Sequence, residues 1–143
     1  MKRKVLIVLL VLLLAFIWGH SCMPVDASRE ESSAVLELLR PLLGLIVGKE
    51  NVTLHLVRKL AHFTEFFCLG CDLALLLPFR GKSQLLAGGL GMLTGFIDET
   101  IQIFSGRGSA IRDVWLDFSG AAAAILILAA IRVLFSRRQS ARP

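Results

Sequence analysis

The chain concentrates ionisable side chains in stretches that are otherwise apolar, at spacings that would bring them together on helices. His62 and Glu65 are three residues apart and Asp72 follows Glu65 by seven, so a helix puts all three on one face. Asp98 and Gln102 stand at i and i+4 with Glu99 beside Asp98, and Asp113 and Asp117 repeat that spacing. Arg58, Lys59, Arg107 and Arg112 flank these acids. Three chemistries suit such a set. An imidazole oriented by a carboxylate is a general base, which here means His62 held by Glu65 or Asp98 and acting on a lipid-linked ester, amide or phosphate bond. Imidazole and carboxylate donors also suit Zn²⁺ or Mn²⁺, with His62, Glu65, Asp98 and Glu99 as the candidate ligands. Arg58 or Arg107 can grip a phosphate or carboxylate in a two-pronged fork, making the cluster a pocket for a polar headgroup. The plainer alternative is a buried ion-pair network that pins helix ends together. There is no nucleophile elbow and no H-E-x-x-H pattern, so enzyme status stays open and a cofactor, beyond that divalent metal, is not expected.

The surroundings are those of a membrane protein. Hydrophobic residues make up 55% of the 143, only 19% are charged, and the mean hydropathy is +0.71, whereas soluble domains carry about a quarter charged residues. The formal net charge of +5 comes from scattered or terminal Lys and Arg, with no Tyr and no aromatic-interleaved basic patch, which excludes a nucleic-acid partner. Cys22, Cys68 and Cys71 make no disulfide framework in so apolar a chain, and the C-x-x-C pair within a span reads as small packing residues.

The length allows one domain, residues 1–143. The expected fold class is an all-α membrane protein with four transmembrane helices plus an extracytoplasmic interfacial helix between the first and second. The first span, 5–25, follows Lys2, Arg3 and Lys4 and stays uncharged to Val25; it resembles a signal peptide, but Pro24 spoils the cleavage site and retention is expected. Ser28 with Glu31 has capping-box spacing, and an interfacial helix is expected over 33–48, kinked at Pro41. Spans at 57–78, 83–104 and 113–135 follow, separated by turns around Pro78 and Gly106, with a basic tail at 136–143. Gly91 and Gly95 form a G-x-x-x-G pair suited to close helix approach, and Ser119, Gly120 and Ala121 to Ala124 offer a small-residue face.

Four spans put both termini on one side. Of the 16 basic residues, nine fall on the terminal and central-turn side (Lys2 to Lys4, Arg80, Lys82, Arg132, Arg137, Arg138, Arg142) and seven on the other, but the nine sit at span ends with no acid beside them. That places both termini in the cytoplasm. Every acid except Asp72 then lies outside or at the outer boundary, together with His62 and Gln102. Asp72, nearer the cytoplasmic half, is expected to be protonated or bonded to a Ser or Thr.

The run Arg58-Lys59-Leu60-Ala61-His62-Phe63-Thr64-Glu65-Phe66, then Asp98-Glu99 with Gln102 and Phe104, then Gly106-Arg107 and Asp113, then Asp117 and Gly120-Ala121, resembles the VanZ-like family of bacterial membrane proteins. The resemblance covers roughly residues 5 to 135, and two positions depart from it: Phe66 stands where the family usually has Tyr, and Asp117 where it often has Asn. It implies an integral protein of the bacterial plasma membrane and cell envelope that contributes to antibiotic resistance of the glycopeptide or lipoglycopeptide (teicoplanin) type. Its partners would be a membrane lipid, a lipid-linked cell-wall precursor or the glycopeptide itself. The mode of action would be binding or shielding at the outer leaflet, or alternatively hydrolysis or group transfer on a lipid-linked substrate. The residues expected to bind are Arg58, Lys59, His62, Glu65, Asp98, Glu99, Gln102, Arg107, Asp113 and Asp117, with His62, Glu65, Asp98 and Glu99 as candidates for any catalysis.

Overall fold

Leu-, Ile-, Val- and Ala-rich runs of about twenty residues have one stable outcome in an apolar solvent, a helix that satisfies its own backbone. A computed structural model describes residues 2–140, with side chains to 136, and all regular structure among the described residues is helical. The order is α1 (Lys2–Ser21), α2 (Val25–Val47), a short 3₁₀ turn (Lys49–Asn51), α3 (Leu54–Leu76), α4 (Gly81–Phe104) and α5 (Ile111–Ser140). The breaks have local causes. Pro24 stands immediately before α2 with its own ψ (150°) outside the helical range, and its ring disfavours helical backbone at Met23 before it. Gly48 takes φ +87°, open to residues without a Cβ. Thr53 caps α3 by accepting the Leu56 amide at 3.2 Å.

Several boundaries differ from expectation. The first helix ends at Ser21 rather than 25, because Cys22 to Pro24 form the turn into α2. That second helix starts at Val25, well before residue 33, so the Ser28–Glu31 capping box does not form: Ser28 is buried inside the helix and its hydroxyl makes no hydrogen bond. Helix α2 also runs through Pro41 without breaking. At the other end α5 continues as helix to Ser140, so no separate tail begins at 136; Arg142 lies outside the described residues.

Helices α1, α3, α4 and α5 form a bundle in which α3 and α5 share the most extensive contact, while α2 touches α3 and the turn that follows it. The core joins Ile17 of α1, Phe66, Leu69, Leu73 and Ala74 of α3, Ala87 of α4 and Ile125 of α5. Backbones come close enough that side chains are excluded: a Cβ on Gly70 would meet the Ala121 carbonyl oxygen at 2.5 Å, and one on Gly91 would meet the Ala121 Cβ at 2.9 Å. The G-x-x-x-G pair therefore packs α4 on α5 as its spacing suggested, and Gly70 adds a close approach of α3. Cys68 is exposed and so is not a core-packing residue, and all three cysteines are free.

The outside of the bundle is apolar. Val8, Val11 and Leu12 of α1, Leu93 and Phe96 of α4 and Leu126, Leu134 and Phe135 of α5 are all exposed. Two helices, α1 and the Ile111–Ser136 part of α5, are long and apolar enough to cross a bilayer. In α2, Leu38, Leu42, Leu45 and Ile46 form an exposed apolar face.

Candidate functional site

Short connections between α3 and α4 and between α4 and α5 make these helices alternate in direction, so the start of α3, the end of α4 and the start of α5 meet at one end, joined by the end of α1. That end holds the polar residues. Arg132 of α5, at the opposite end, stacks over the Phe79 ring of the α3–α4 turn at 4.1 Å.

His62 faces two buried carboxylates. Its Nδ1 lies 3.5 Å from Asp117 Oδ1 and 3.8 Å from Asp98 Oδ2, and the three side chains are 12%, 1% and 0% exposed, respectively. Asp98 is held on both oxygens: Ser21 Oγ donates to Oδ1 at 2.5 Å and Gln102 Nε2 to Oδ2 at 2.8 Å. Neither oxygen of Asp117 makes a hydrogen bond. Room for Asp117 comes from Gly95, where an added Cβ would stand 3.1 Å from the Asp117 Cβ.

Around this centre, polar contacts fasten the helix ends. Lys59 bonds Asp113, linking α3 to α5, with Arg112 Nε 4.0 Å from the same carboxylate. Glu99 Oε2 accepts the Ala110 amide at 3.0 Å, closing the α4–α5 loop. Within that loop Arg107 is buried; it donates through one terminal nitrogen to the His20 carbonyl at 2.9 Å, while its Nε is unpartnered. Burial pushes the Arg107 guanidinium below its ordinary pKa and nearby Arg58 adds to this, against the pull of Asp98, Glu65 and Glu99. Ser105 Oγ donates to the Ser21 carbonyl at 2.9 Å, and His20 Nε2 lies 3.0 Å from Glu31 Oε2.

Two clefts open beside His62. The larger, about 400 Å³, is lined by His55, Arg58, Lys59 and His62 of α3, Glu99 and Gln102 of α4, the loop residues Gly108 to Ala110, and Arg112, Asp113, Leu116 and Asp117. The smaller, about 190 Å³, lies toward α1 and α2 and takes in Phe16, His20, Glu31, Glu65 and Arg107; Arg58 and His62 line both. All ten residues expected to bind thus gather at one end, but they do not share one pocket. Asp98 sits behind His62 in neither cleft, and Glu65 with Arg107 belongs to the smaller one.

The structure groups these residues differently from the expected metal set, while Asp98 stays beside His62 as the acid–base reading expects. Glu99 follows Asp98 directly, a turn of about 100° around the helix, and its carboxylate is engaged by Ala110. Glu65 points into the smaller cleft. Asp117 stands beside His62 in their stead, and among the described residues His62, Asp98 and Asp117 form the group whose donor atoms lie close enough together, within 4.8 Å, to share an ion. Of the two states expected for Asp72, the bond to a Ser or Thr is absent, since Asp72 is buried and neither of its oxygens makes a hydrogen bond, and the protonated alternative stands. Sequence reasoning passed over Ser21, His20 and His55. Ser21 carried only a faint signal, a hydroxyl at the end of an apolar run.

Residues 6–134 match the VanZ/LLP1 family. The chain belongs to that family. The VanZ/LLP1 match runs from α1 into α5 and takes in both clefts. No curated protein and no solved structure matches the chain. In this VanZ/LLP1 protein the two positions read from the sequence as departures from the family's pattern play opposite parts. Phe66 is fully buried in the apolar core, where a Tyr hydroxyl would need a partner. Asp117 supplies a carboxylate at the centre of the site.

Proposed function

We propose that this VanZ/LLP1 protein is a multi-pass protein of the bacterial plasma membrane that contributes to resistance of the teicoplanin type by holding an anionic group at the outer leaflet. In this reading α1, α3, α4 and α5 are four spans, α2 lies in the outer interface on its Leu38, Leu42 and Ile46 face, and both termini are cytoplasmic. Nine of the 16 basic residues, without neighbouring acids, at the end opposite the acidic cluster support that orientation. The group held would be the headgroup of a membrane lipid or the phosphate of a lipid-linked cell-wall precursor.

One observation carries the proposal. Arg58 makes no hydrogen bond or ion pair among the described residues, yet it lines both clefts and stands close enough to buried Arg107 to depress its pKa. Arg107 has carboxylates near it in Asp98, Glu65 and Glu99, whereas Arg58 is left without a hydrogen-bonded or ion-paired anion among the described residues, and guanidinium forks suit phosphate and carboxylate. Lys59, by contrast, is occupied by Asp113.

The test is a glycopeptide susceptibility assay in a bacterial host expressing the chain. Arg58→Ala and Arg107→Ala are expected to abolish the protection that the wild type gives, with Arg58→Lys restoring little of it because the fork is lost. His62→Ala alone abolishing protection, with both arginine variants active, would favour the hydrolase or transferase alternative instead. A wild type that confers no protection, or substitutions without effect, would sink the reading.

A further inference from the structure

Asp98 and Asp117 place two carboxylates in the protein interior against a single imidazole. Neither is paired with Lys or Arg among the described residues, since Arg107 turns to His20 and Lys59 to Asp113. A buried carboxylate needs a counter-charge or a proton, and one His⁺ balances only one of two. The donor atoms Nδ1 of His62, an oxygen of Asp98 and an oxygen of Asp117 lie within 4.8 Å of one another. The two separations from Nδ1, 3.5 and 3.8 Å, are close to the ~3.4 Å edge of a tetrahedron with metal–donor bonds of about 2.1 Å.

We propose that His62 Nδ1, one oxygen of Asp98 and one oxygen of Asp117 bind a divalent transition-metal ion of the Zn²⁺ type at the floor of the larger cleft, with one coordination position open to that cleft. One such ion and two carboxylates sum to zero charge with His62 neutral. Asp117 is the second observation that points to a ligand: it is buried, lines the cleft, and apart from the 3.5 Å approach of His62 Nδ1 its oxygens have no donor among the described residues. The outer contacts are those of a metal ligand, because Ser21 donates to Asp98 Oδ1 and Gln102 to Oδ2, the oxygen nearer His62, and together they fix the carboxylate's orientation. Three protein donors and a free position toward solvent are the arrangement of reactive rather than structural zinc sites. The site needs none of the arginines and holds whether or not the clefts take an anion.

The test uses tag-free, full-length protein in lipid nanodiscs, stripped with chelator and titrated with Zn²⁺ and, separately, Co²⁺. The wild type is expected to retain about one Zn²⁺ per chain after desalting, and Co²⁺ to give the visible absorption bands of four- or five-coordination. Asp117→Asn keeps the shape, and is expected to weaken binding at least about tenfold and remove those bands, while remaining monodisperse. His55→Gln changes a cleft residue outside the triad and is expected to leave both readouts unchanged. Absence of retained metal and of Co²⁺ bands in the wild type would overturn the proposal. So would equal binding by Asp117→Asn, or loss of binding on His55→Gln. Anion binding by the chelated protein, measured in the same nanodiscs, reports on the arginines alone, so failure of one idea is distinguishable from failure of the other.

Discussion

The Ser21 hydroxyl donates to Asp98 Oδ1 at 2.5 Å, joining the last residue of α1 to α4 across a buried helix end. Both residues are almost fully buried, so water cannot replace the contact. Ser21→Ala should therefore leave a buried carboxylate short of a donor and cost about 1–3 kcal/mol. Ser21→Thr keeps the hydroxyl and should recover part of that. Thermal denaturation in detergent checks both, and equal melting of Ser21→Ala and wild type would show that the bond does not hold α1 in place.

The α3–α5 contact depends on the absence of side chains. Gly70→Ala should destabilise by about 1–3 kcal/mol, because the new Cβ meets Ala121 backbone atoms that cannot move singly. Gly89→Ala is the control, with nothing within 4 Å of an added Cβ, and should be neutral or gain up to about 1 kcal/mol from helix propensity. Parallel melting curves of the two variants decide the matter.

Lys59 and Asp113 are 25% and 21% exposed, so their bond between α3 and α5 is partly screened. A double-mutant cycle with Lys59→Met and Asp113→Asn should give a coupling of about 1 kcal/mol or less, shrinking as salt rises. A coupling above about 3 kcal/mol that is insensitive to salt would mean the pair is sealed from water.

Topology is open to chemical labelling. With Cys22, Cys68 and Cys71 replaced by Ala, a cysteine at Ser109 should react with a membrane-impermeant maleimide on intact cells, since this loop residue lines the larger cleft, which the proposed orientation places outside. A cysteine at Lys82, on the exposed α3–α4 side, should react only after the cells are opened. The reverse pattern would invert the orientation and place the polar end in the cytoplasm.

The amino-acid sequence by itself determined that the chain is helical and apolar, where the turns at Pro78 and Gly106 fall, and which polar residues share a face within one helix. These are local properties: periodicity and backbone preference act over a few residues, and the pairs His62–Glu65 and Asp98–Gln102 follow from helical spacing alone. Tertiary packing decided which of those faces meet. Asp117 rather than Glu65 or Glu99 reaches His62 because Gly95 leaves space for it, and Ser21 reaches Asp98 only because α1 returns to the same end as α4. Such contacts depend on how closely separate helices approach, which is set by small residues on two chains of packing at once and is invisible to spacing along either helix. The ionisable end was therefore legible in the sequence, while the grouping of His62, Asp98 and Asp117 within it was fixed by the packing of α3, α4 and α5.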